Sequence, residues 1–154
     1  MNRTACRAII LRGEEVVLMH RREKGTEYYC FPGGSVEPKE TTEAALLREI
    51  KEETSLGVVV EKLLYRHRLR QNDDDQLFYL CGYVSGEPRL HPESEEIKSL
   101  SDDYFEEPVW VEMKRLPQML VYPLEIRDSF IRDKKSNFKD NPRKIVRVGL
   151  PPHQ

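Results

Sequence analysis

Two apolar runs, Cys6 to Leu11 and Val16 to His20, flank the polar stretch Arg12-Gly13-Glu14-Glu15, which predicts a β-hairpin. Tyr28-Tyr29-Cys30-Phe31 predicts a short aromatic strand, stopped by Pro32-Gly33-Gly34. From Thr41 to Leu56 the period becomes helical. Leu46, Leu47 and Ile50 share a stripe expected to face the core, and Thr41 is the expected N-cap. Val58 to Leu64, extending toward Leu69, and Gln76 to Val84 predict two more strands. Between them, Asn72-Asp73-Asp74-Asp75 reads as turn chemistry rather than a metal cluster. His91 to Glu107 predicts a loop with some helical turns, Val109-Trp110-Val111 a strand, and Leu116-Pro117 a connection. Pro123 to Lys135 predicts a helix opened by its proline. This order lacks the regular alternation of a doubly wound sheet. The fold class expected is α/β, a mixed and largely antiparallel sheet packed between helices.

The chain of 154 residues has the size of one domain and no internal repeat, which sets a domain over residues 3–135 and a basic C-terminal tail over 136–154. Ile145, Val146 and Val148 suggest a short edge strand in that tail. A net charge of −2 gives no general pull toward nucleic acid or membrane. The average hides an acidic run between His91 and Glu112 and a basic run from Arg127 to Arg147. Both read as solvated surface. Cys6, Cys30 and Cys81 have neither disulfide nor zinc spacing, and no apolar run reaches signal-peptide or membrane-spanning length. A soluble protein of the reducing cytoplasm is expected, with its cysteines in the core.

The candidate chemistry lies in the helical segment. Glu49, Glu52 and Glu53 fall within an arc of about 100° and sit beside the apolar stripe. Like charges so placed repel by a few tenths of a kcal/mol per pair, and a hard divalent cation reverses that sign. The segment is therefore a candidate Mg²⁺ or Mn²⁺ site.

Gly34, Glu40, Arg48, Glu49, the apolar Ile50, Glu52, Glu53 and Leu56 stand at the spacing of one known motif, and the chain resembles the Nudix box of the MutT-like hydrolases. It departs at Ser55, where the motif has glycine. A left-handed helix end costs serine more than glycine, so a local rearrangement is expected there, with Gly57 available to end the helix. The hairpin, the aromatic-Cys-Phe-Pro-Gly-Gly lead-in and the strand before Leu116-Pro117 extend the resemblance over about residues 3 to 135.

The resemblance implies an α/β/α sandwich that cleaves a nucleoside diphosphate linked to another moiety, using Mg²⁺ or Mn²⁺. It implies Glu52 and Glu53 as metal ligands, Glu49 as a further ligand or the base, and the Gly34 carbonyl as a direct donor to the metal. Glu40 and Arg48 become a structural pair that supports the site. Arg21 and Arg22 are candidates for substrate phosphate, and Tyr28 or Tyr29, with Tyr29 foremost, for stacking on a base. Glu93, Glu95 and Glu96 are candidates for an extra ligand, weighed below plain surface. A catalytically silent nucleotide-sensing module of the same fold is the alternative. It is disfavoured because every carboxylate of the motif is present. The expected partner is a small-molecule diphosphate rather than nucleic acid or membrane, and a homodimer is left open.

Overall fold

The computed structural model describes residues 3–69, 74–92, 100–101 and 103–147. Asn72, Asp73, Glu93, Glu95, Glu96 and Val148, singled out above, lie outside the described residues. The hairpin forms as β1 (Thr4–Arg12) and β2 (Glu15–Glu23), but its strands pair only at Leu11↔Val16 and Arg12↔Glu15 before they diverge. Two strands joined through Phe31-Pro32 fill the fork. β3 (Thr26–Cys30) pairs with β2, and β4 (Gly33–Ser35) pairs with β1. Gly33 sits in that fork at φ +153°, where a side chain would run into the backbone of Cys6 and Arg7.

β6 (Asp75–Ser85) lies parallel to β1, and β5 (Gly57–Leu69) antiparallel to β6. β7 (Tyr104–Glu112) runs along the outer edge of β2 over that strand's whole length. The acidic stretch is thus strand from Tyr104 onward, where loop was expected through Glu107. Its residues alternate faces in continuity with Val109-Trp110-Val111. Asp75 begins β6 and Asp74 immediately precedes it, Asp74 accepting from the Arg3 N–H and Asp75 from Arg68. A 3₁₀ turn at Met113–Gln118 and the two-residue β8 (Val121–Tyr122, parallel to β3) lead into helix α2 (Leu124–Lys134).

Helix α1 (Thr42–Thr54) opens on Thr41, whose hydroxyl accepts from the Ala44 N–H. Its buried residues are Ala45, Leu46, Glu49, Ile50, Glu53 and Thr54, while Leu47 is 45% exposed. Leu47 is therefore no part of the core stripe. At 100° per residue it falls roughly 110° from the centre of the buried arc, and Glu53 lies close to that centre.

The sheet carries a core on each face. One, with α1, gathers Cys6, Ala8, Ile10, Val17, Ala45, Leu46, Ile50, Leu56 and Cys81. The other, with α2, gathers Ile9, Leu18, Phe31, Tyr65, Phe78, Ile126, Phe130 and Phe138. The three cysteines are buried and unbridged, and burial pushes the Cys6 thiol up to about 11 and the Cys81 thiol to about 12. The stretch set apart as a tail joins this framework. Phe138 is buried and stacks on Phe130 with ring centroids 6.0 Å apart, and β9 (Arg143–Arg147) pairs parallel with β5. Asp133 ties the two together, accepting from Tyr65 Oη at 2.7 Å and from Arg143 Nη2 at 2.6 Å. Burial alone would raise Asp133, but these two donors bring it below the usual carboxylate range. Among the described residues no helix is long and apolar enough to cross a membrane.

Candidate active site

The acids of α1 differ in environment because the helix turns them toward different surroundings. Glu53 is 2% exposed and points under the sheet fork, where the Gly33 N–H donates to it at 3.3 Å. Glu49 is also buried, against Gly34. A Cβ at position 34 would overlap the Glu49 carboxylate, so glycine is required for the strand to approach the helix this closely. Glu52 lies at the rim with its side chain 41% exposed.

Arg48 organises this rim. Its Nε and Nη2 bond both oxygens of Glu40, at 2.8 and 2.9 Å, and Nη2 also donates to the Ser35 carbonyl at 3.2 Å. Its Nη1 bonds Glu49 at 2.9 Å and lies 3.8 Å from Glu52. The two-pronged bond from Arg48, helped by a Glu37 backbone N–H, holds the Glu40 carboxyl at about 2. One guanidinium thus fixes the loop before α1 to the helix itself.

Glu53 behaves in the opposite way. Burial first, then the anions Glu106 and Glu49, push its carboxyl up to about 8, against the opposing pull of Arg21 and Arg7. Among the described residues it has no ion pair. A buried carboxylate so placed needs a proton or a cation.

The sheet face over α1 supplies the rest. Arg21, Tyr28 and Glu106 are direct register partners across β2, β3 and β7, so their side chains share that face. Arg21 Nε and Nη2 bond Glu106 Oε1 at 3.1 and 2.8 Å, and Tyr104 Oη donates to Glu106 Oε2 at 2.5 Å. Tyr28 packs on Tyr122 with ring centroids 5.8 Å apart. Strand alternation carries the neighbours to the other face. Tyr29 stacks on His20 at 4.8 Å, and the Arg22 guanidinium lies over Phe105 at 5.2 Å. Of the three substrate-binding candidates, the structure therefore places Arg21 with the glutamates, and Arg22 and Tyr29 on the opposite face.

Glu106 belongs by sequence to the acidic run expected at the surface, yet its side chain is fully buried. The available signal was strand period, since Glu106 falls in phase with Trp110, which packs on the α1 core. At Ser55 the expected rearrangement does not occur. Ser55 itself ends α1 in the left-handed conformation, φ 60° and ψ 12°, and its hydroxyl donates to the Arg89 carbonyl at 2.8 Å. The Gly34 carbonyl accepts a long bond from the Cys6 thiol, 3.6 Å.

Among the described residues no three His, Cys, Asp or Glu side chains converge tightly enough to hold a metal ion as they stand, and Arg48 reaches toward both Glu49 and Glu52. The donor set nonetheless fits one. It offers carboxylate oxygens suited to a hard divalent cation, at least one of them strongly destabilised as an anion without it.

A fork in a mixed sheet, a Gly-Gly strand pressed on a glutamate-bearing helix and an Arg-Glu brace define a recognisable class. The NUDIX domain family model matches residues 1–131, and the chain belongs to the Nudix family. It is 32% identical over 108 residues to a putative 8-oxo-dGTP diphosphatase, YtkD, of Bacillus subtilis (strain 168), covering 70% of this chain and 60% of that protein. It is 34% identical over 95 residues to putative nudix hydrolase 1 of Caenorhabditis elegans, covering 58% of this chain and 26% of that protein. The chain thus spans less than two thirds of the length of either relative. Among solved structures, a NUDIX hydrolase from Nitrosomonas europaea superposes with a TM-score of 0.73 at 17% identity, over 95% of this chain and 79% of that one. A MutT NUDIX hydrolase from Burkholderia pseudomallei gives a TM-score of 0.54 at 28% identity, over 82% and 95%. These likenesses establish the Nudix fold.

Proposed function

We propose that the chain is a pyrophosphohydrolase that depends on Mg²⁺ or Mn²⁺ and cleaves a diphosphate linkage in a nucleoside diphosphate joined to another moiety. The observation that carries this reading is Glu53, a carboxylate 2% exposed that faces two other carboxylates and lacks an ion pair among the described residues. Evolution of a merely stable domain has no use for that arrangement, which is costly in the absence of a cation. Glu49, Glu52 and Glu53 are the residues that would hold the ion, with the Gly34 carbonyl as a further donor. When bound, the ion supplies neutralisation of phosphoryl charge and acidification of a coordinated water.

The chain's own groups do the positioning. Arg48 locks Glu49 and Glu40 in place from a helix anchored at Thr41, so the acids ride on a rigid element. One of Glu49, Glu52 and Glu53 takes the proton of the attacking water. Arg21, on the opposite wall, meets substrate phosphate. Tyr28, which shares its face, takes the stacking role foreseen for Tyr29.

The diphosphatase name of one relative makes nucleoside triphosphates, oxidised ones included, the first compounds to test. A panel of these with nucleotide sugars, dinucleoside polyphosphates and capped RNA, with Mg²⁺ and with Mn²⁺, should show turnover of at least one class. Tight binding of one nucleotide with no turnover of any would overturn the enzyme in favour of a sensor.

A further inference from the structure

Arg21 has two acids near it. Glu106 holds it through two nitrogens, and Glu53, which accepts from the Gly33 N–H at 3.3 Å beneath the sheet fork, is the second. The backbone sets the placement of all three. Arg21 and Glu106 are opposed residues of β2 and β7, and Glu53 is carried on α1 beneath the fork. Arg21 has 21% of its side chain exposed and Glu106 none, so their attraction is weakly screened. Tyr104, two residues before Glu106 on the same face, caps the other Glu106 oxygen and holds the carboxylate toward Arg21.

A buried guanidinium that loses its main partner turns to the next anion in reach. Here that anion is Glu53, the acid that the proposed function assigns to the metal. From this we infer that Glu106 is a positioning residue that keeps Arg21 off Glu53, so that Glu53 stays available to a divalent cation while Arg21 stays aimed at the site. The inference rests on the metal-site reading of Glu53 and adds a second acid, outside the motif, on which that site depends.

Mn²⁺ binding, followed by electron paramagnetic resonance of the free ion and by calorimetry on the full chain, tests it without recourse to turnover. Glu106→Gln should weaken Mn²⁺ binding at least about tenfold, because Arg21 then pairs with Glu53. Glu106→Asp, which keeps the charge, should recover most of the affinity. The double variant Glu106→Gln/Arg21→Met removes the competing cation and should bind Mn²⁺ within about threefold of the wild type. A merely structural Glu106 would make the double variant no better than the single one.

Retained affinity in a folded Glu106→Gln variant overturns the inference, and so does lost affinity in a folded double variant. Should Glu106→Gln fail to fold, the double variant, which buries no unmatched charge at this pair, carries the test by itself. Glu53→Gln separates the two levels. If it binds Mn²⁺ like the wild type, the metal-site reading fails. If it loses binding while Glu106→Gln does not, only the role of Glu106 fails.

Discussion

Ser55 is the one position where the chain departs from its family's motif, and the structure allows the consequence to be worked out. Ser55→Gly would relieve a non-glycine residue of the left-handed conformation, a gain of about 1–2 kcal/mol. It would also return conformational freedom to the unfolded chain, a loss of about 0.4–1 kcal/mol. Finally it would remove the bond from the Ser55 hydroxyl to the Arg89 carbonyl, a further loss of about 0.5–1.5 kcal/mol. The terms nearly cancel, so Ser55→Gly should leave stability within about 1 kcal/mol of the wild type. Ser55→Ala keeps the strain and loses the bond, and should destabilise by about 1 kcal/mol, or roughly 2–4 °C in Tm for a domain of this size. Urea unfolding of the three proteins, with m-values compared, measures both. The same bond straps residues 89–91 to the helix end, beside the Arg89 N–H to Thr54 carbonyl and His91 N–H to Glu52 carbonyl bonds, each 2.9 Å. A Ser55→Gly variant more stable by over about 2 kcal/mol, or a neutral Ser55→Ala, would refute the compensation.

Two further outcomes are expected. Phe138→Ala should cost about 3–5 kcal/mol in urea unfolding, because it empties a buried site stacked on Phe130, whereas a loss under about 1 kcal/mol would show that 136–147 is not part of the folded unit. The pH dependence follows from Glu53, whose carboxyl stands at about 8 in the fold against 4.5 ordinarily. Between those values the folded chain binds a proton that the unfolded chain has released, so metal-free stability should fall as pH rises, by up to about 1.4 kcal/mol per pH unit. Saturating Mg²⁺ should flatten that slope in urea titrations from pH 5 to 8, and a flat profile in EDTA would contradict the assignment.

The elements were legible wherever a local signal was strong. The hairpin, the aromatic strand, the Thr41 cap and the late helix all stand where pattern put them, and so does the spacing that brings Glu40 onto Arg48. What was not legible depends on tertiary partners. The helical wheel shows an arc but not its centre. Leu47 was therefore drawn into the core, and Glu53 placed at its edge, until the sheet fork fixed which side of α1 is covered. Tyr28 and Tyr29 are chemically equal in sequence, and only the register with Arg21 and His20 assigns them to opposite faces. Glu106 was hidden among acids, because whether a carboxylate is solvated or clamped depends on a strand 85 residues away. The left-handed Ser55 could not be foreseen without Arg89 beside it.

The central claim is that the buried carboxylate of Glu53 exists to hold a catalytic cation. The most direct measurement is Mg²⁺-dependent turnover of Glu53→Gln against the wild type, on the best substrate of the panel, with metal-free unfolding recorded on the same samples. The account predicts a loss on the order of 10²–10⁴-fold in turnover, together with a metal-free fold at least as stable as the wild type, since folding then no longer requires the Glu53 carboxyl to take up a proton. Near-full activity in a folded Glu53→Gln variant would contradict it.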